Sequence, residues 1–388
     1  MEQGQKQKQK AEELPLTGSV LERDQDKVED EDRDETVHLL GIGVFLPDGR
    51  MTSEEIAQGT GIPVQVVREK LGIVEKTVPG PDDHPCEMGV KAARKAIAQA
   101  GIRAEEIDLV IYIGEEHKEY PVWTAALKLQ QDIGAVNAWG FDVALRCCTT
   151  IMAVKVAKSM MRGDKNIRTV LLAGGYRNGD LIDMNDPHTR FMINLGAGGG
   201  AMVLRRGAGR AGSADHADHA DHTYPEVLEA VVVTDGSFAE DVIVCAGGTK
   251  QPLTPQLLAD GGPRFRVPDP EQMKRRLDEV SLQRFIDVIR QSAEQSGYAI
   301  RDIDVLGLLH MKRSAHQAVL EELELPQEKA VYLERYGHIG QFDAMLNLEL
   351  SVKAGLIGPG SVVVLAAAGI GYAWGALTLR WGTGTSIQ

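Results

Sequence analysis

One stretch of this chain is written twice. Residues 96–113, AIAQAGIRAEEIDLVIYI, align without a gap with residues 292–309, SAEQSGYAIRDIDVLGLL, so that Gln99 matches Gln295, Gly101 matches Gly297, Ile107 matches Ile303 and Asp108 matches Asp304 at one offset of 196 residues. Each copy reads as the end of a helix, a glycine that stops it, a turn and a buried strand. The order continues further on, where RTVLLAGG at 168–175 resembles SVVVLAAAG at 361–369. Such a repeat restricts the chain to an architecture of two similar halves.

Between and around the copies, short β-rich runs alternate with helical patterns: His38–Leu46, a helix near Glu87–Ala100, Leu109–Ile113, a helix near Val122–Ile133, Gly140–Ala144, a helix near Thr150–Met161, and Thr169–Ala173. Strands that alternate with helices imply parallel crossovers and therefore α/β layers. The organisation expected is a charged, disordered tail over 1–35, an N-terminal half over 36–206, an inserted Asp/His-rich loop over 207–224, and a C-terminal half over 225–388. Val362 to Leu379 carries no charge for 18 residues, about the length that crosses a bilayer. Its glycines at 369, 371 and 375 and its β-branched start favour two buried strands around a turn over a membrane span.

Charge limits the partners. The net charge is −14, and residues 1–35 hold 12 acidic against 6 basic side chains, so the body is acidic too. No run of Lys and Arg supplies a face for phosphate neutralisation, which argues against nucleic acid. Four cysteines, Cys86, Cys147, Cys148 and Cys245, form no disulfide framework, and the adjacent pair would bridge only with strain. With no secretion signal in MEQGQKQKQKAEELPLTGSV, a reducing cytoplasm is the expected location.

Two related halves bring equivalent strand ends into one crevice, where α/β folds place their chemistry. The residues just after Ala144, Leu309 and Leu333 are Cys147, His310 and His338. Cys147 lies where AWGFDVALRCC passes into TTIMAVKVAKSMM, so a buried strand turns into a helix at the thiol. A sulfur there sees peptide N–H groups and the positive end of the helix dipole, which favours the thiolate, and Arg146 adds a positive neighbour. Two imidazoles beside that sulfur can polarise a thioester carbonyl and stabilise an oxyanion or enolate.

Other features have plainer explanations. Gly196-x-Gly198-x-x-Ala201 imitates a dinucleotide fingerprint but leads into the strand AMVL, so it is a turn. His316 lies inside a helix, Cys148 is core, and Glu115, Glu116 and His117 follow the strand DLVIYIG as a surface loop that also borders the crevice. His216, His219 and His222, alternating with Asp215, Asp218 and Asp221, have metal-ligand chemistry, yet their setting is a solvated loop. No metal is expected.

GIGVFLP near the start, AARKAIAQAGIRAEEIDLVIYIG, FDVALRC, GAGGGAMVL, DVLGLLH, ERYGHIGQ and GLIGPGSVVVLAAAGIGYAWGALTLRW stand in an order and spacing that resembles a β-ketoacyl-acyl-carrier-protein synthase III of the thiolase-like superfamily. The likeness covers roughly residues 37–381. It implies a five-layered αβαβα fold of two duplicated halves, a homodimer, and an enzyme of fatty acid biosynthesis. It further implies acyl transfer to Cys147, which stands five after Asp142, followed by decarboxylative Claisen condensation with a malonyl-thioester. His310 and His338 would be the catalytic histidines, and the backbone N–H groups of Cys147 and Ile370 the oxyanion hole. The substrates would be acyl-CoA and acyl carrier protein thioesters, with no resident cofactor and no membrane partner.

The chain departs from that family in three places. His338 stands where asparagine is usual, making the constellation Cys-His-His. Cys148-Thr149-Thr150 replaces the small residue, Gly and Phe usual after the nucleophile, and Leu309-His310-Met311-Lys312-Arg313 replaces proline, histidine, glutamine, alanine, asparagine. Lys312 and Arg313 are placed to meet phosphates of coenzyme A or a pantetheine arm, or else lie on a solvated helix face. The altered residues keep two alternatives open: an acyltransferase or thioester hydrolase using the same Cys147, and a non-catalytic acyl-binding subunit.

Overall fold

The computed structural model describes residues 35–207 and 224–382. The first half runs β1 (Val37–Phe45), β2 (Gly49–Thr52), α1 (Ser53–Thr60), a π-helical turn at Val66–Lys70, β3 (Glu75–Val78), α2 (Pro85–Ala100), β4 (Leu109–Tyr112), α3 (Ala125–Ile133), β5 (Trp139–Asp142), α4 (Thr149–Gly163), β6 (Thr169–Tyr176) and β7 (Gly198–Arg206). The second half runs β8 (Glu226–Thr234), β9 (Ile243–Val244), α5 (Pro255–Ala259), β10 (Phe265–Arg266), α6 (Pro270–Gln295), β11 (Val305–Leu308), α7 (Arg313–Glu322), α8 (Asp343–Lys353), β12 (Val362–Gly369) and β13 (Ala373–Arg380).

The repeat is visible residue by residue. The short 3-10 turn Ala104–Glu106 and β4 return at the same offset as Ile300–Asp302 and β11. Asp108 accepts the Arg168 and Thr169 N–H groups at 2.9 and 2.8 Å, and Asp304 accepts that of Val362 at 2.9 Å, so each copy pins its strand to the next by one aspartate. β4 pairs in parallel with β6, and β11 with β12. The strand order is β5-β4-β6-β7-β1 in one half and β8-β13-β12-β11 in the other, the two joined where His38 pairs with Glu226.

Layering follows from which faces are apolar. α2 and α3 cover the outer face of the first sheet, α6 and α7 that of the second, and α4 and α8 lie between the sheets. Ala92, Ala93, Ala96 and Ala100 are buried on α2, and Gly41 and Gly43 of β1 let that helix approach the backbone. The result is the αβαβα sandwich implied by the resemblance, built from the two similar halves expected from the repeat. The main core holds Leu109, Ile111, Val154, Leu172, Met345 and Leu365 among others, all at or below 1% exposure; burying each such side chain is worth about 1.5–3 kcal/mol.

Val362 to Leu379 forms β12 and β13, an antiparallel pair around Gly369–Tyr372, as expected. Among the described residues no helix is long and apolar enough to cross a membrane. One expected strand end fails: Leu333 lies in no strand, and His338 instead makes an isolated bridge to Leu195. The Asp/His-rich run and the first 34 residues lie outside the described residues.

Candidate active site

The site sits where β5, β11 and β12 end and α4 and α8 begin. Arg146 adopts a left-handed backbone, φ 51°, which turns the chain sharply before α4. Thr149 ties the turn together: its hydroxyl donates to Arg146 O at 2.5 Å and accepts the Leu145 N–H at 2.7 Å. Cys147 is thereby held half-exposed two residues ahead of the helix, while Cys148 is wholly buried with its sulfur 3.2 Å from Ala367 O. The core reading of Cys148 is correct, and burial pushes its thiol far above the ordinary range.

The Cys147 sulfur lies 3.0 Å from Nε2 of His338. Nδ1 of the same ring lies 2.6 Å from Oδ2 of Asp343, a buried carboxylate on the first turn of α8. Asp343 also accepts the Ile339 N–H at 2.9 Å and the His310 N–H at 2.7 Å. Burial on its own would disfavour a charged imidazole. The Asp343 carboxylate and the Cys147 sulfur reverse that and hold the His338 pKa well above its ordinary value. Geometrically this is a thiol, a base and an orienting carboxylate in line.

His310 is built differently. Its Nε2 lies 3.1 Å from the Gly72 carbonyl, and its Nδ1 lies 3.0 Å from the Asn194 amide nitrogen. Burial drives its pKa down to about 4, so the ring is neutral at pH 7. The expectation that both rings face the sulfur therefore meets a different arrangement. One imidazole bonds Cys147, and the other reaches the site through the shared Asp343 carboxylate.

Around this line, Gly369 presses on the nucleophile turn, since a Cβ there would stand 3.0 Å from the Cys147 nitrogen. Ile370 is the next residue, so the two N–H groups expected to make an oxyanion hole belong to segments in contact. The turn continues through a cis peptide between Gly371 and Tyr372. A cavity of about 270 Å³ opens here between Glu116, Leu145, Arg146, Asp235, Ile370 and Tyr372.

Glu115 corrects the surface-loop reading. It is 3% exposed, its Oε2 pairs with Arg146 Nη1 at 2.7 Å, and its Oε1 has no partner among the described residues. Burial drives this carboxyl up to about 7 despite the pull of Arg146. Arg146 also pairs with the exposed Glu116, so its charge is spent on carboxylates at the rim. His117 bonds Asp180 at 3.3 Å. His316 is buried against the Tyr332 ring at 5.0 Å, which makes it a packing residue. Lys312, exposed, and Arg313, paired with Glu334 at 2.7 Å, border a groove of about 470 Å³ with Glu69, Lys70, Leu71 and Ser314.

Asp343 and Asn194 were not singled out from the sequence. Asp343 stands five after His338 at the mouth of a helix, and that spacing was the available signal for it. Asn194 gave none.

A strand-end thiol between two mirrored α/β halves, backed by an imidazole, defines a thiolase-like protein. Residues 141–221 match the family described as 3-oxoacyl-[acyl-carrier-protein] synthase III, and residues 293–381 match the C-terminal part of the same synthase. The first segment holds Cys147, and the second holds His310, His338, Asp343 and Ile370. The β-ketoacyl-[acyl-carrier-protein] synthase III of Symbiobacterium thermophilum is 27% identical over 352 residues, 89% of this chain and 98% of that protein. Among solved structures, the 3-oxoacyl-[acyl-carrier-protein] synthase III of Aquifex aeolicus superposes with a TM-score of 0.73 at 22% identity, covering 89% of this chain and all of that one. The priming β-ketosynthase of the R1128 polyketide pathway gives 0.74 at 20% identity, covering 90% and 97%. The chain is thus similar over most of its length to β-ketoacyl-acyl-carrier-protein synthase III proteins, and shares their fold.

Proposed function

We propose that the protein is a condensing enzyme in which Cys147 takes an acyl group from a thioester and passes it to the carbanion of a decarboxylated malonyl-thioester. The observation that carries this reading is the Cys147–His338 contact at 3.0 Å, set in the fold and family likeness described above. The thiol proton moves along that contact to Nε2, and the sulfur attacks the acyl carbonyl. The departing carrier thiolate takes the proton from His338, leaving acyl-Cys147.

In the second half-reaction the malonyl C–C bond breaks and its electron pair becomes an enolate as carbon dioxide leaves. Once the carrier thiol has left, His338 takes up one proton from solvent; its Nε2–H, freed by acylation of the sulfur, donates to the enolate oxygen, and Nε2–H of neutral His310 donates once it leaves Gly72 O. The enolate carbon then attacks acyl-Cys147. The oxyanion rests on the N–H groups of Cys147 and Ile370, and collapse expels the Cys147 thiolate, which recovers its proton from His338. No resident cofactor enters this chemistry.

A second reading has its own observation. An imidazole backed by a buried carboxylate is well suited to take a proton from an alcohol, amine or water that attacks the acyl-enzyme, which would make the chain an acyltransferase or hydrolase. Incubation with acyl-CoA followed by intact-protein mass measurement tests acyl capture, and addition of malonyl-thioester with measurement of carbon dioxide separates the readings. An adduct on Cys147 without carbon dioxide supports transfer, and no adduct at all supports a non-catalytic acyl-binding subunit.

The groove at Lys70, Lys312 and Arg313 suits the phosphate of a coenzyme A or carrier-protein arm. We further propose a homodimer across β5. This edge strand exposes Trp139, stacked on Phe141 at 5.6 Å, beside exposed Tyr120, Val122, Leu127 and Val136. An unpaired apolar strand edge is a site for a second copy. W139K should convert a dimer to a monomer in sedimentation. A cytoplasmic location suits the four unpaired thiols.

A further inference from the structure

Asn194, in the segment just before β7, touches both histidines. Its amide nitrogen lies 3.0 Å from Nδ1 of His310 and 3.2 Å from the His310 carbonyl oxygen. Its own carbonyl accepts the His338 N–H at 2.8 Å, and the Gly196 N–H returns to the His338 carbonyl at 2.8 Å.

The carbonyl oxygen of His310 can only accept, so the group facing it is the Asn194 NH2 and not the amide oxygen. The same NH2 faces Nδ1, which therefore carries a lone pair, and a neutral ring must then hold its proton on Nε2. Gly72 O, 3.1 Å from Nε2, is the matching acceptor. Gly72 has φ +72° and a Cβ there would overlap the Tyr332 phenol, so glycine is the residue that can present a carbonyl at this place.

We infer that Asn194 is a positioning residue: its side chain keeps the His310 proton on Nε2, where a thioester oxygen can receive it, while its backbone holds His338 in register with Cys147. The inference rests on the condensing role proposed above for His310. What anchors the segment is separate from the amide. Buried Lys76 donates to Ile193 O at 2.8 Å and Leu195 O at 2.9 Å, and the Thr77 hydroxyl donates to Ala197 O at 2.6 Å. An Asn194 side-chain variant therefore keeps the loop.

The test is nitrogen NMR of the full chain labelled with 15N-histidine, the His310 signals being identified by their loss in H310N. In the wild type, Nδ1 should report a lone pair and Nε2 a proton. N194A should give a mixture of tautomers. It should also lower carbon dioxide release from malonyl-CoA about tenfold, the size of one neutral hydrogen bond, with KM and Cys147 acylation little changed. N194D, whose carboxylate accepts, should draw a proton to Nδ1. A proton on Nδ1 in the wild type overturns the inference, as does an N194A ring that keeps a single Nε2–H tautomer, whatever its rate. Should the wild type release no carbon dioxide, the condensing role fails, while the ring nitrogens still report on Asn194.

Discussion

Asp343 Oδ2 stands 2.6 Å from His338 Nδ1, and the same oxygen accepts the His310 backbone N–H at 2.7 Å. One carboxylate thus fixes which nitrogen of His338 faces the sulfur and where the second histidine enters the site. In D343N a single amide oxygen replaces two carboxylate oxygens, so an NH2 must face either Ile339 N–H or His310 N–H. The expected result is a loss of about 10²–10⁴ in the rate of Cys147 acylation, from a wrong tautomer and a weaker proton acceptor. Stopped-flow release of free coenzyme A from acyl-CoA measures it. An unchanged rate would show that His338 is oriented by its surroundings alone.

Much of the fold could be read because the repeat joins helix, turn and strand into one unit whose burial pattern is the same in both copies. Asp108 and Asp304 illustrate this, each capping the next parallel strand by an identical bond. Cys147 was legible because a strand passes into a helix there, although that strand, β5, lies at the sheet edge with Trp139 exposed and is not the buried strand expected. His310 was legible as a strand-end residue, whereas the strand expected to lead to His338 does not form and that residue sits in a turn; neither rotamer was legible. Which ring meets the sulfur is decided by Gly72, Asn194 and Asp343, contributed by three distant segments. Glu115 was misjudged for a related reason: its burial comes from the nucleophile turn folding over it, and no local pattern carries that information.

Stability should depend on pH through these same groups. His310 and His316 are pushed by burial from 6.5 to about 4, so between those values the unfolded chain binds two protons that the native one refuses. Glu115 is pushed from 4.5 to about 7, so over most of that window the native chain holds a proton that the unfolded one has released. The three leave a net excess of one proton on the unfolded side between pH 4.5 and 6.5, and stability rises with pH there by about 1.4 kcal/mol per unit from this set. E115Q removes the opposing proton and should roughly double that slope. Above pH 6.5 His338, whose native pKa is raised, works the other way, and its contribution fades as pH climbs through the native value. Urea midpoints of wild type and E115Q from pH 4.5 to 7 test this; parallel curves would show that Glu115 does not titrate in the window.

The basic groove predicts a binding phenotype separable from chemistry. Lys70 and Lys312 both line it, whereas Arg313 already pairs with Glu334 at 2.7 Å. K70E and K312E should each raise KM for the thioester about tenfold at low salt and leave kcat nearly unchanged, because the phosphate they meet is remote from the reacting carbon. The effect should shrink at high ionic strength. Equal losses in kcat would place the groove within the catalytic machinery instead.

Gly340 separates backbone strain from steric exclusion. It lies between His338 and Asp343 at φ +68°, and a Cβ would come within 2.7 Å of the Tyr176 ring, itself 6.1 Å from the His338 ring. Gly61, which ends α1, has φ 70° and open space around the same position. G61A therefore meets only the left-handed penalty, about 1–2 kcal/mol. G340A meets that penalty plus overpacking, a further ~1–3 kcal/mol, unless Tyr176 moves. A Tyr176 displaced by the methyl group would push the 338–343 turn off the sulfur. G340A should thus lose Cys147 acylation as well as stability, whereas G61A should lose stability alone, as thermal melts and acyl-adduct mass measurements on both variants would reveal. Equal destabilisation with full acylation in both would mean that the Tyr176 ring yields without dragging the histidine.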